Sequence, residues 1–369
     1  MATLIVCMII LCLGACTPAE SGINNAETVN ATVVEIEKYG HAVLDVSTDD
    51  LFTAGYALGD VVRVRFGSFE SDMPFFDGYY TNAGDAMLRG VSASENIAIC
   101  INYGDFSKGT GITVGDTVEI SLVEKAGMLA LQELCALQYS DNRADYPDDA
   151  VFANFRAVTV GNIGKGKLYR SASPINNVHG RASCVNDFIE AVSVATVLNL
   201  ADSDEDIAQY FAKEDFDSEY YLSLYENGKV MALDLTANFF SDDFAAALMD
   251  GFRFLAENDP PYSIHCTEGK DRAGFAIILL EALAGAQLQE IIDDYMLSFY
   301  NYYGINKETE PARYETILNN NLIVMLCHVT GADSMEALEK IDLESAVTDY
   351  MLANGMTEND ILKLKDKLR

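Results

Sequence analysis

The sequence predicts an α/β chain in two parts: a small all-β domain over residues 30–125, then a domain over residues 151–369 with a mostly parallel central sheet flanked by helices. Three observations predict it. From Ala31 onward, short runs such as ATVVEIEKYG, DVVRVRFG and DTVEISLVE alternate apolar and polar residues and break at Gly, Asp or Asn, the pattern of half-buried strands joined by tight turns. Beyond residue 150, strand-length apolar runs alternate with helix-length ones, which implies parallel strands joined by helical crossovers. One such strand, PYSIHC, and one such helix, AGFAIILLEALAGA, enclose a short glycine-bearing loop with a lysine and an arginine. At 369 residues there is room for two cores, since single cores stop growing at about 250–300 residues.

In chain order, residues 1–15 (MATLIVCMIILCLGA) carry no charge, a run of signal-peptide length and short for a membrane span. Residues 16–29 are polar and small, the composition of a flexible tether. Within the β-domain, ALGDVVRVRF and TVGDTVEISL echo each other, each with Gly-Asp before a strand; a duplication and recurrent hairpin chemistry explain this equally. KAGMLALQELCALQ and YSDNRADYPDD form a helical linker over 126–150. ATVLNLAD and KVMALDL are buried strands, and SDDFAAALMDGFRFLAEND is a helix capped by Ser241. From Gln287 the chain is mostly helical, with Gly355 as a C-cap and Thr357 capping the last amphipathic helix.

Charge excludes some partners. With 57 acidic against 24 basic residues, net −33, the chain is not built for nucleic acid or an anionic membrane surface, so any anion it binds needs a local positive pocket. Outside the first 16 residues the cysteines are Cys100, Cys135, Cys184, Cys266 and Cys327, scattered and without a C-x-x-C pair. That is neither a disulfide framework nor a zinc site.

The loop SIHCTEGKDRAG supplies the local pocket. Backbone N–H groups of a strand–loop–helix turn, with the positive end of the helix dipole, form an anion cradle, and a thiolate at its start is stabilised by the same donors. Arg272, six residues after Cys266, comes around the loop and offers a planar fork to two phosphate oxygens. Gly269 permits close backbone approach, and Gly274 lets the helix pack tightly. Nucleophile and phosphate receptor thus share one turn.

His265-Cys266-x5-Arg272 resembles the signature loop of the cysteine-based protein tyrosine phosphatase superfamily, and HCTEGKDRAG resembles its atypical bacterial tyrosine-specific branch. KLYRS at Lys167, TVLNLADSDED and the C-terminal DYMLANGMTENDILKLKDKLR resemble further elements of that family, so the likeness runs from about Asn154 to Arg369. It implies a tyrosine phosphatase-like domain that hydrolyses phosphotyrosine proteins or small phosphate monoesters, a phosphoinositide or inositol phosphate among them. Cys266 would be the nucleophile, Arg272 the phosphate clamp and His265 a group that orients the loop through hydrogen bonds. Thr267, Glu268, Gly269, Lys270, Ala273 and Gly274 would line the substrate. Lys270 is either a second cation for a further phosphate or a solvent-facing lysine, and Arg170 either a buried ion-pair partner under the loop or a substrate contact. The general acid is Asp271 or, 32 residues before Cys266, Asp234, with Asp202, Asp204, Asp242 and Asp243 behind them. No metal or organic cofactor is implied, because the loop itself supplies charge and nucleophile.

Two departures stand out. Ala273 replaces the usual Ser or Thr whose hydroxyl eases thiolate departure, which favours a catalytically weak phosphate-binding protein as the competing reading. Asn199 and Ala201 replace an Asp and an Arg of the family's Asp-Leu-Arg strand. At the other end, LGAC followed by a polar stretch resembles a bacterial lipoprotein signal, implying lipidation of Cys16 and an extracytoplasmic, membrane-anchored protein. Residues 30–125 also resemble faintly the C-terminal β-barrel of the SAM hydroxide adenosyltransferase family, a likeness of fold without a catalytic motif.

Overall fold

The computed structural model describes residues 26–369. The signal segment, Cys16 and most of the tether lie outside the described residues.

Seven strands close into a barrel: β1 (Val29–Ile36), β2 (Ala42–Ser47), β3 (Val61–Phe66), β4 (Phe69–Phe76), β5 (Ala86–Arg89), β6 (Asn96–Ile101) and β7 (Thr117–Glu124), in the order β1-β2-β6-β5-β4-β3-β7. Alternation dictates the inside: Val33, Leu44, Val62, Val64, Leu88, Ile99 and Ile120 point inward and are essentially inaccessible, while their polar neighbours face out. The two echoing segments form the neighbouring strands β3 and β7, paired antiparallel with Val64 opposite Ile120. Closure leaves no free sheet edge.

Five strands build the second sheet: β8 (Arg156–Val158), β9 (Leu168–Ser171), β10 (Thr196–Asn199), β11 (Val230–Ala232) and β12 (Tyr262–His265), in the order β11-β10-β12-β9-β8. Strands β11, β10, β12 and β9 run parallel, but β8 pairs antiparallel with β9. The sheet is therefore mixed: four strands run parallel, and the edge strand β8 runs against them. The reason lies in the segment between Val158 and Leu168, which has no helix and returns directly, as only an antiparallel pair allows.

Helix Arg272–Leu283 runs through the centre of this domain, and Phe275 to Leu280 are wholly inaccessible. Helices Asp242–Glu257 and Glu358–Leu368 are capped by Ser241 and Thr357, whose hydroxyls accept from Phe244 N and Asp360 N. Gly355, at φ +105°, follows Asn354 at the end of helix Leu343–Ala353. The acidic linker is fastened down: Arg181 donates to Ser140 O at 3.1 Å and pairs with Asp141 at 2.9 Å.

The barrel lies against the mouth of the loop after β12. Tyr103 packs its ring 5.2 Å from Phe239 and 5.0 Å from Phe240, and its hydroxyl reaches Asn321. Lys38 of the barrel is ion-paired with Asp234.

Candidate active site

The strand β12 ends at His265, and helix Arg272–Leu283 begins six residues after Cys266. The loop between them is held from outside. Four consecutive carbonyls have donors in the scaffold: Ser173 N on Thr267 O at 3.0 Å, Tyr302 Oη on Glu268 O at 2.6 Å, Arg170 Nη2 on Gly269 O at 2.8 Å and on Lys270 O at 3.3 Å. Asn154 Nδ2 also donates to Glu268 O at 3.1 Å. A trans peptide points its N–H opposite to its C=O, so outward carbonyls turn the loop's amides inward, around Cys266. Gly269 makes this possible: at φ +68° it lies so close to β9 that a Cβ would fall 2.0 Å from Ser171 O.

Beneath the loop is a buried charge cluster. Arg170, wholly inaccessible, donates to Asp294 at 2.7 Å, and Arg156 pairs with the same carboxylate at 2.8 Å. Burial alone would raise the pKa of Asp294, but the two guanidiniums win and hold it near about 2. Arg170 is thus the structural partner under the loop. Glu281, on the central helix, is also fully buried, and neither carboxyl oxygen has a hydrogen-bond partner. Burial and the nearby Asp294 raise its pKa well above the usual range, which makes it a neutral acid.

Cys266 is 3% exposed at the base of the cradle. Arg272 is oriented by two bonds, Nη1 to Leu235 O at 3.0 Å and Nη2 to Thr267 Oγ1 at 3.1 Å. Tyrosine phosphatase family sequences match this chain over residues 152–369. The chain belongs to the tyrosine phosphatase family. It is a phosphoric monoester hydrolase of the cysteine-based type, and residues 152–369 are the part that carries the likeness.

Among solved structures, an uncharacterized conserved protein from Thermotoga maritima shares 26% identity over 25% of this chain and 35% of that one, with a TM-score of 0.24; the phosphatase thus spans about a third of that protein's length. The core catalytic domain of the PP-IP phosphatase SIW14 from S. cerevisiae, in complex with citrate, shares 18% identity over 47% of this chain and 93% of that domain, with a TM-score of 0.28. No curated protein matches the chain.

The remaining candidates of the phosphatase fall into place as follows. His265 is fully buried and packs edge-on against Tyr221 at 5.8 Å. Neither ring nitrogen makes a well-formed hydrogen bond, but the ring lies within reach of the Cys266 backbone, a contact that favours its charged form against burial. Burial lowers its pKa to about 3, which keeps the ring neutral. Ala273 is inaccessible, and Gly274 abuts the Tyr295 ring, 2.8 Å from where a Cβ would stand. Helix packing against Tyr295, rather than against the sheet, therefore requires that glycine.

Lys270 is already matched in charge. Its Nζ lies 3.0 Å from Glu268 Oε2 and 2.9 Å from Tyr303 Oη, over the Tyr303 and Phe299 rings. Burial opposes its charge, but Asp271, Glu268 and Tyr303 outweigh it, and the pKa is raised. Glu268 in turn accepts from Tyr139 Oη at 2.6 Å; burial works against its charge, but Lys270 and Tyr139 hold its pKa at about 2.

The acid candidates separate. Asp271 lines a cleft of about 440 Å³ with Lys270, Phe239 and barrel residues. Its side chain is 47% accessible, and the protein around the carboxyl raises its pKa, by partial desolvation and the nearby Glu268, against the pull of Lys270 and Arg272. Asp234, at φ +48°, is occupied by Lys38. Asp202 is buried, bonded to Asn199 at 3.1 Å and Tyr210 at 3.3 Å, with its pKa raised by burial. Asp204, Asp242 and Asp243 stand in the first turns of helices, where they offset the dipole. Asn199 also bonds Tyr221 Oη at 3.1 Å.

Among the described residues no group of three or more His, Cys, Asp or Glu is arranged to hold a metal ion. A larger cavity of about 550 Å³, lined by Asp72, Thr81 and Asn320 among others, has no residue of the loop in its wall. Asn154, Asp294, Tyr302 and Tyr139 escaped the sequence reading as loop supports. Only Asn154 carried a signal, as an Asn able to take the left-handed conformation, φ +47°, after a short helix.

Proposed function

We propose that this phosphatase hydrolyses phosphate monoesters through a phosphocysteine, with phosphotyrosine protein or a small phosphorylated polyol or inositol as substrate. The observation that carries it is the inaccessible Cys266 ringed by inward amides, with Arg272 fixed at the first turn of the helix. The Cys266 thiolate attacks phosphorus in line; the S–P bond forms as the P–O ester bond breaks. Asp271 gives its proton to the leaving oxygen, a role its raised pKa suits. Water then attacks phosphorus, Asp271 takes back a proton, and the S–P bond breaks to restore the thiolate. Arg272 and the loop amides hold the three non-bridging oxygens throughout.

We also propose that the chain is a bacterial lipoprotein held on the extracytoplasmic face through Cys16. What supports this is the uncharged run before LGAC. No described helix is long and apolar enough to cross a membrane.

A second reading, a phosphate trap whose Cys266 is phosphorylated once, releasing the alcohol, and then stalls, is favoured by one observation: Ala273 brings no hydroxyl to the first turn of the helix after the loop. Turnover of para-nitrophenyl phosphate by the full chain, in reducing buffer with chelator, tests both. Many turnovers, abolished in Cys266→Ser, are expected; one equivalent of product followed by a stall supports the trap; turnover unchanged in Cys266→Ser sinks the cysteine mechanism.

A further inference from the structure

The cleft beside the loop has walls from both halves of the chain. Asn238, Phe239, Lys270 and Asp271 form one side; Tyr39, His41, Tyr79, Arg89 and Tyr103 of the barrel form the other. The family match begins at residue 152, so the barrel wall is outside what the family shares. At about 440 Å³, the cleft is in the range of about 300–1,000 Å³ that encloses a small organic ligand.

Its two cations differ. Lys270 is surrounded by Glu268, Asp271 and the Tyr303 hydroxyl. Arg89 is less fully matched: its buried Nε has no hydrogen-bond partner, its guanidinium touches the neutral Cys100 thiol, and its ion-pair partner, Glu37, is 3.8 Å away and shared with His41 Nδ1 at 2.8 Å. The Tyr79 ring, 5.1 Å from the guanidinium carbon, fixes its plane. A guanidinium held against an aromatic ring, with only one distant and shared carboxylate, retains capacity for a carboxylate or phosphate. In a chain of net charge −33, such an arginine facing a cleft calls for an anion.

We propose that the barrel is part of the substrate site, and that Arg89 reads a second anionic group, a carboxylate or a further phosphate, on the ester whose reacting phosphate occupies the loop. This rests on the phosphatase reading above. It gives the barrel a role in selectivity, not only in folding or targeting.

The test is affinity measured by calorimetry on the full chain carrying Cys266→Ser, which binds without turnover. Two substrate pairs differ in one charged group: a phosphotyrosyl peptide with Glu or with Gln before the phosphotyrosine, and a hexose bisphosphate against the hexose monophosphate. The more anionic member of at least one pair should bind about tenfold tighter at low salt, the scale of one charge-assisted contact. Arg89→Gln should reduce that preference to about twofold or less, and Arg89→Lys should keep part of it. Arg63→Ala, on another barrel strand and paired with Asp72, should leave it unchanged. The pair that responds tells an acidic phosphopeptide from a small bisphosphate. Equal binding within both pairs, or a preference that survives Arg89→Gln, overturns the proposal. Failure of the parent reading looks different, since no phosphate ester would bind and the Cys266 protein would not turn over para-nitrophenyl phosphate.

Discussion

Arg170 reaches from β9 beneath the catalytic loop and donates through Nη2 to the carbonyl of Gly269, 2.8 Å away. The same guanidinium pairs with Asp294, which it shares with Arg156, so one buried charge cluster holds the loop's peptides with their amides turned in. The loop's shape is thus set by the scaffold below it, without needing a bound anion.

Asp294→Asn should therefore damage activity and stability together. It leaves Arg156 and Arg170 buried without a carboxylate, and breaking such pairs costs about 3–5 kcal/mol. The pH dependence has a definite sign. Asp294 has a folded pKa of about 2, below its unfolded value, so its contribution is complete above the unfolded pKa and is lost as pH falls toward 2. Urea denaturation at pH 7 and at pH 3 should show the gap between wild type and Asp294→Asn narrowing in acid. An equal gap at both would sink this account.

Much of the site was legible because its chemistry is local. Cys266, Asp271 and Arg272 are close in sequence, and the strand before them and apolar helix after them announce the turn. The β-domain was legible from alternation, which Val62, Val64 and Ile120 obey, whereas its barrel form was suggested only by a faint resemblance. What the sequence did not yield is non-local. Asp294 reaches Arg170 across 124 positions, and Asn154 reaches the Glu268 carbonyl across 114. Lys270 reads as an available cation until Glu268 and Tyr303 are seen to surround it. The antiparallel β8 escaped because three residues carry too little pattern to fix a direction.

Glu281 gives a prediction of opposite sign to Asp294. Its folded pKa is raised well above the ordinary carboxylate value, so the folded state binds its proton more tightly than the unfolded chain. Stability is then unaffected below the unfolded pKa and declines as pH rises toward the folded one. Glu281→Gln removes that penalty while keeping the shape, and should stabilise the protein at pH 8 relative to wild type, by about 1.4 kcal/mol for each pH unit spent between the unfolded and folded pKa. Thermal melts at pH 4.5 and pH 8 should diverge between the two proteins only at the higher pH; coincident melts at both would mean the carboxyl finds a partner.

Ala273→Ser tests the chemistry of the second step. The residue is inaccessible, in the first turn of the central helix, and a hydroxyl there would bond the departing thiolate. Rapid-mix kinetics with para-nitrophenyl phosphate should show the burst rate little changed and the steady-state rate raised about tenfold, the worth of one charge-assisted hydrogen bond. A steady-state rate that does not rise would show that breakdown of the phosphocysteine is not limited by the missing hydroxyl.

The identity of the general acid turns on the two aspartates that flank the loop. Asp271 faces the cleft with a raised pKa, whereas Asp234 is held by Lys38. If Asp271 delivers the proton, kcat should fall as pH rises through its pKa, because the acid form is lost. Asp271→Asn should remove that alkaline limb and lower kcat by about 10²–10³ for phenyl phosphate, whose leaving oxygen needs a proton. For a dinitrophenyl phosphate, which departs as a stable anion, the loss should be much smaller. Asp234→Asn should keep both the limb and the leaving-group dependence, its cost being the ion pair with Lys38. The reverse pattern, with the alkaline limb lost in Asp234→Asn and kept in Asp271→Asn, would transfer the role to Asp234 and make release from Lys38 a required step of each turnover.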